Sequence, residues 1–500
     1  MAKNFASARK YLPYAALAAL AFICYGLYLN PHFATDTYTD LPNLEDVTRG
    51  ALNNGRFVNL AFVLLMRLLG INYVASPAAQ VCVNFLAICC AAAACFLLFR
   101  LLEKRFGPFS AVKKITAVLA CAVIFCNPFF CDMFQFTECI FGFMLGLPLA
   151  VKAAGTMSDY EAPFLKRLYT SAILIVVVAG CYQPYLNYFM IAYLVLFMGG
   201  FSKNAPRFRF VRELAGGVCV YAVGALSGFV MLRIMNPGAN RVMQNLDLAD
   251  NIKQIANLQK PLLLESYGLI PGFVFLAALL AALIYCAVSA GKKASPSAVI
   301  CLCLAVLGVY LVNFTLFLPT SKGQFWPSPR TLTSFMGLPG AVALLGGALS
   351  SGRPERAVFK AARLLASAGL AVLLCFYLVS SVNIAGDLLY TNKKDREEVE
   401  FYAEKIREYE QSAGIQVTKA AFAYDSYPKA YHDGVIHSHD MNMRAFYRSW
   451  ARKPFLSFVT GKDLAEVAMP EAVSFGGKNW DALSQEQIVF HGDTVCIAVY

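Results

Sequence analysis

Charge is what this chain has least of. Only 15% of its 500 residues are Asp, Glu, Lys or Arg, against about 25% in an average soluble domain. With 58% hydrophobic residues and a mean hydropathy of +0.55, that scarcity excludes an ordinary soluble domain and leaves a polytopic membrane protein. Nucleotide and metal signatures are missing too. There is no P-loop, no GxGxxG after a strand, no GxSxG, and no CxxC or Cys/His ligand spacing, so cytosolic nucleotide chemistry has no motif behind it. No cofactor is called for, and a divalent cation is left open. The first apolar run lacks a small-residue cleavage pattern, so it reads as a retained helix and not as a removed signal. No solenoid repeat and no low-complexity tract interrupts the chain.

What is present is hydrocarbon-length sequence. Apolar windows of roughly 17 to 25 residues fall near 11–29, 78–102, 115–131, 133–151, 168–182, 184–200, 214–235, 271–290, 297–318, 332–350 and 364–386. They predict an all-α bundle of about eleven crossings. Cys24, Cys82, Cys89, Cys90, Cys95, Cys121, Cys181, Cys219, Cys286, Cys301, Cys303 and Cys375 lie inside these windows, where they read as small buried hydrophobes. The formal charge of +12 is spread over short loop clusters and not gathered on one soluble segment, which argues against nucleic acid. Those clusters alternate: Lys3, Arg9 and Lys10; Arg100 to Lys114; Lys152, Lys166 and Arg167; Lys203 to Arg212; Lys292 and Lys293; Arg353 to Arg363. By the positive-inside rule the amino terminus is cytoplasmic, and an odd number of crossings places the carboxyl end outside.

From about Thr391 the composition shifts. DREEVEFYAEKIREYEQ reads as an exposed helix, IQVTKAAFAYD as a strand, and QIVFHGDTVCIAVY as two strands around His491-Gly492-Asp493. The expected division is a transmembrane domain over 1–390 and a small extracytoplasmic α/β or α+β domain over 391–500. HDGVIHSHD in that tail holds three histidines and matches no ligand spacing, so it reads as a solvated loop.

Candidate chemistry sits in outward loops. HFATDTYTDLPNLEDVTRGALNNGRF, residues 32–57, places Asp36, Tyr38, Asp40, Arg49 and Arg56 just after the first helix. In an extended segment Asp36, Tyr38 and Asp40 would share a face. Asn54-Gly55-Arg56 offers a turn into FVNLAFVLLMRLLG, a stretch too short to cross and suited to an interfacial helix. Carboxylates there can act as bases while arginines grip an anionic head group, or the loop is simply hydrophilic; local features fit both. A second outward loop, NPFFCDMFQFTE, contributes Asp132 and Glu138, acids close enough to hydrocarbon to favour a wet cavity. Arg233, Arg241, Lys322 and Arg330 are further outward cations for a lipid phosphate. Gln183 in GCYQPYLNYF could line a cavity or satisfy its amide against a neighbouring helix.

In layout the chain resembles the Gtr-type membrane glucosyltransferases that decorate bacterial O-antigen in lipopolysaccharide, within the GT-C class. The likeness is carried by the acidic stretch with Asp36 and Tyr38, the NNGRF turn into a short amphipathic helix, TECIFGFMLGLPLA, GCYQPYLNYF and the segment at Arg330. It implies a bacterial inner-membrane enzyme that passes a hexose from a polyprenyl-phosphate donor to a cell-surface glycan, inverting, with an aspartate as general base. Asp36 then falls at the first-loop acidic position and Arg56 at the GR turn. The family often shows adjacent acids in that loop, whereas Asp36 and Asp40 are separated here, so the base is one of the two, with Glu138 a third candidate. Arg56, Arg330, Lys322 and Arg241 would hold the phosphate, and Tyr38, Arg49 and Gln183 would line the cavity. The competing class is a transporter or flippase of a lipid-linked sugar or other anionic solute, for which paired internal repeats and mid-membrane polar residues are the expected signs. A glycan polymerase or ligase would share the outward site.

Overall fold

A computed structural model describes residues 2–107, 109–200, 207–238, 246–290, 296–350, 357–424, 427–478, 480 and 482–500. Arg241, Lys203, Lys292, Lys293, Arg353 and Arg356 lie outside the described residues. Helix dominates. Among the described residues nine helices are long and apolar enough to cross a membrane, from Tyr11–Leu29 to Ala357–Ala413. The windows at 184–200 and 332–350 are also helical, but as shorter segments, Leu186–Gly200 and Leu338–Leu349. Both are packed inside the bundle, where Tyr188, Phe189, Val195, Ala341, Val342 and Leu345 are fully buried or nearly so.

Local chemistry explains where the helices begin and end. Ser76 accepts the Ala79 N–H and Pro77 occupies the first turn, so Pro77–Phe106 starts there; it stops at Gly107, whose φ of 77° is left-handed. Its buried stripe, Val83, Ala87, Ala91, Ala94 and Leu98, is rich in small residues that let neighbouring backbones approach closely. All sixteen cysteines are free, but Cys82, Cys219, Cys303 and Cys375 are exposed. The reading of the window cysteines as uniformly buried is therefore corrected. Their helices turn that face outward, where thiols suit lipid as well as they suit a core.

The tail is less separate than its composition predicts. One unbroken helix, Ala357–Ala413, runs 57 residues through the expected boundary at 391. Nor is its outer part simply an exposed helix, because Asp395, Glu398, Val399, Tyr402 and Ile406 are buried on one face. Against that face lies a four-stranded sheet of β1 (Lys419–Tyr424), β2 (Ala465–Glu466), β3 (Ile488–His491) and β4 (Thr494–Val499), in the order β2-β1-β4-β3. β1 and β4 are parallel, with Lys419 opposite Thr494 and Tyr424 opposite Val499, and the β3–β4 hairpin turns at Gly492. β4 is buried along its whole length, as a central strand covered on both faces must be.

Candidate active site

At the end of the bundle that carries this sheet, a cavity of about 430 Å³ opens between the first loop, the Phe136–Cys139 segment, Tyr182, Arg330 and Trp450. The first loop is held at its start. His32 is fully buried, its ring nitrogens 2.8 and 2.9 Å from the Asn30 and Phe134 carbonyls. Phe33 exchanges two 2.7 Å hydrogen bonds with the Asn392 side chain, which stands in for a paired strand. Just after these anchors the chain makes a helical turn, Thr37–Asp40, and not an extended segment. The distinction decides which side chains meet. At helical spacing Asp36 and Asp40 share a face and both line the cavity, while Tyr38 turns away and stacks on Phe455 with centroids 3.9 Å apart. The expected placement of Tyr38 in the cavity is thus overturned by a period of 3.6 where a period of 2 was assumed.

The three acids occupy different depths. Asp36 is exposed at the mouth, and its Oδ1 accepts the Trp450 indole N–H at 2.9 Å and the Thr35 hydroxyl at 3.4 Å. Asp40 is 2% exposed; its Oδ1 accepts the Val47 N–H at 2.8 Å, which caps the Glu45–Asn53 helix from a distance. Burial raises Asp40 to about 7, with Asp46 and Asp36 adding to the rise and the Val47 N–H opposing it. Glu138 is buried as well, accepts the Thr37 hydroxyl at 3.0 Å, and is pushed well above the usual carboxylate range by burial and then by Asp40 and Asp36.

The cations face them. Gly55 has φ +67°, and a Cβ there would stand 2.7 Å from the Leu232 backbone nitrogen, so only glycine allows the turn that sets Arg56 ahead of Phe57–Leu68. Arg56 lies over the Phe143 and Tyr182 rings, at 4.6 and 5.1 Å from their centroids. That short helix buries Asn59 and Val63 and turns Leu64, Leu65 and Leu68 outward, an inside-out pattern that suits a lipid surround. Arg330 sits in a 3-10 turn, Pro329–Thr331. Asp132 accepts its backbone N–H at 3.0 Å and its guanidinium at 2.9 Å, and Asp440 accepts at 3.3 Å. From there polar contacts continue through Arg448, 2.7 Å from Asp440 and stacked on Trp450, back to Asp36.

The cavity therefore gathers Asp36, Asp40, Arg49, Arg56, Glu138 and Arg330, and leaves others out. Lys322 is exposed and does not line it. Gln183 takes its second reading, with its amide donating to the Asn54 carbonyl at 2.8 Å behind the cavity wall. HDGVIHSHD is not a solvated loop either. Ser438 is buried, His439 packs edge-on against Tyr267 and Trp326, His432 is 2.9 Å from Asp395, and Asp440 bridges two arginines. Its polar groups find partners on the bundle surface, which composition does not reveal. Trp450, Asp46 and Asn59 were missed as cavity residues, and for Trp450, 414 positions from Asp36, no local signal exists. Among the described residues no three His, Cys, Asp or Glu converge at metal-binding spacing.

The family described as Glucosyl transferase GtrII matches residues 25–339, more than half of the chain. The chain belongs to that family. The matched segment holds every cavity-lining residue except Trp450, so the GtrII region supplies the cavity and the tail contributes one wall. No curated protein and no solved structure matches. Membership makes this a glucosyltransferase-type glycosyltransferase with the helices of a multi-pass membrane protein.

Proposed function

We propose that this GtrII-family protein moves a hexose, glucose first among the candidates, from a polyprenyl-phosphate donor to a surface glycan, on the extracytoplasmic face of a bacterial inner membrane. The observation that carries the reading is the convergence of Asp36 with Arg56 and Arg330 on one cavity beside a lipid-suited helix. A sugar hydroxyl is too weak an acid to ionise unaided. As its oxygen bonds to the anomeric carbon, its proton passes to the Asp36 carboxylate, a contribution of about 10² to 10⁴ in rate. Asp36 Oδ2 is the receiving atom, because both hydrogen bonds made to this side chain use Oδ1. The bond from the anomeric carbon to the phosphate oxygen breaks in the same step, and the released polyprenyl phosphate keeps the electron pair as negative charge beside Arg56 and Arg330.

Attack from the face opposite the leaving group inverts the anomeric centre. Asp40 and Glu138 are deeper and hold protons more tightly, which suits them to hydrogen-bonding the donor sugar and leaves the exposed Asp36 as base. The region from 391 onward is assigned to the same outward side, since it walls the cavity. The deciding experiment is transfer from a synthetic polyprenyl-phosphate hexose by Asp36→Asn in detergent. Loss of turnover in a folded variant supports the assignment, full activity moves the base to Asp40 or Glu138, and an inert wild type with every such donor favours transport.

A further inference from the structure

At the opposite end of the bundle a second cleft, about 260 Å³, lies between the last turns of Pro77–Phe106 and Gly146–Met157 and the turn that follows. The Ile140–Met157 span separates it from the cavity by 18 residues, about 27 Å at 1.5 Å per residue, close to the thickness of a hydrocarbon core. Lys104, Arg105 and Lys152 line it, with Asp159 and Glu161 at the same opening. Two donors in it are unused. Arg105 Nε and Ser158 Oγ are shielded from solvent and have no hydrogen-bond partner among the described residues, although Ser158 is only 6% exposed.

A neighbour shows what satisfaction looks like in this corner. Arg167 pairs with both Glu213 oxygens at 2.9 Å and also donates to the Met157 and Ala162 carbonyls. Arg105 instead lies over the Tyr160 ring at 4.3 Å, with Arg167 and Arg209 at 5.1 and 5.7 Å from the same ring. A guanidinium N–H cannot be removed by deprotonation and is costly to leave unmade when buried. It requires an acceptor, and with Lys104, Arg105 and Lys152 outnumbering Asp159 and Glu161 the surplus positive charge favours an anionic one.

We infer that this cleft binds a phosphate group, with Arg105 and Ser158 donating to its oxygens and Lys104 and Lys152 balancing its charge. A phosphate has oxygens enough for the converging donors, and a basic pocket between spans at headgroup depth is where a lipid phosphate resides. The inference goes beyond the transferase reading and does not depend on it.

The test uses the full chain purified from membranes and reconstituted in nanodiscs of phosphatidylcholine with or without phosphatidylglycerol, with bound lipid read by native mass spectrometry. The Arg105→Ala, Lys152→Ala double variant should retain about tenfold less phosphatidylglycerol than wild type, the loss expected on removing a charge-assisted hydrogen bond. Arg105→Lys and Ser158→Ala, which disturb packing least, should lose several-fold and keep the wild-type Tm in phosphatidylcholine alone. Inorganic phosphate is the second arm. If it raises the Tm of wild type saturably, and of the double variant far less, while phosphatidylglycerol does not compete, the ligand is a free phosphate at the same site. Equal lipid retention by all variants together with no saturable effect of phosphate overturns the proposal.

Discussion

The two ends of the bundle hold similar groups and use them differently. The cavity is lined by four carboxylates and three arginines, the opposite cleft by three cations and two carboxylates. At the cavity end the acids are graded in depth, from exposed Asp36 to buried Asp40 and Glu138, and burial separates their proton affinities. At the other end Arg167 and Glu213, 3% and 4% exposed, close on each other. A charge enclosed with its opposite holds helices together. One that lines a cavity stays open to a substrate even when paired, as Arg330 is with Asp132.

Four substitutions and one pH series can break that contrast. Asp36→Asn should cost about 10² to 10⁴ in kcat with little change in Tm. Arg167→Ala should do the reverse, lowering stability by about 1.5–3 kcal/mol because buried Glu213 loses two charge-assisted hydrogen bonds and keeps only Arg212, with kcat per folded molecule unchanged; a comparable loss of kcat would dissolve the distinction between the ends. For Arg56→Ala the expected loss is about 10- to 100-fold in kcat/KM for the lipid donor, read in steady-state kinetics, with the acceptor KM unmoved.

Asp40 supplies the pH series. Folded, it keeps its proton up to about pH 7, and unfolded only to about 3.9. Between those values the folded state binds more protons, so stability is fully present below about pH 4 and declines as pH rises to about 7. Thermal melts from pH 5 to 8 should therefore show a falling Tm whose slope Asp40→Asn reduces, the remainder coming from buried Glu138; a wild-type Tm that climbs over this range contradicts the burial argument. Smallest is Trp450→Phe, which keeps an aromatic wall but drops the bond to Asp36 Oδ1. A several-fold rise in acceptor KM with kcat nearly intact is expected from initial-rate measurements.

Much of this architecture was legible in the chain. Apolar length marked every window that became a helix, because hydrocarbon thickness imposes a length that composition alone reveals. The acidic first loop, Arg56 and Arg330 were legible for a related reason, since charge beside a membrane is costly unless it is used. What could not be read were relations across the chain. Tyr38 was misplaced because a four-residue turn and a four-residue strand look alike in sequence. His32 gave no sign that it would be buried between two carbonyls, and HDGVIHSHD none that it would dock on the bundle. Trp450 reaches Asp36 only through the fold of the tail, and at the expected boundary of 391 the backbone continues as unbroken helix.

The uninterrupted helix Ala357–Ala413 has a consequence for how the chain can change length. At about 1.5 Å and 100° per residue it is a threaded shaft of roughly 85 Å, on which two grips overlap: the tail holds it from Ile384 and Asp387, through Asn442 and Ile436, while the first loop holds it as far as Asn392, through Phe33. One residue inserted in that overlap would swing one set of contacts by about 100° against the other, whereas seven would return them to within about 20° of their bearing while separating them by some 10 Å. Between Ile384 and Asn392, residue count is itself an angular setting.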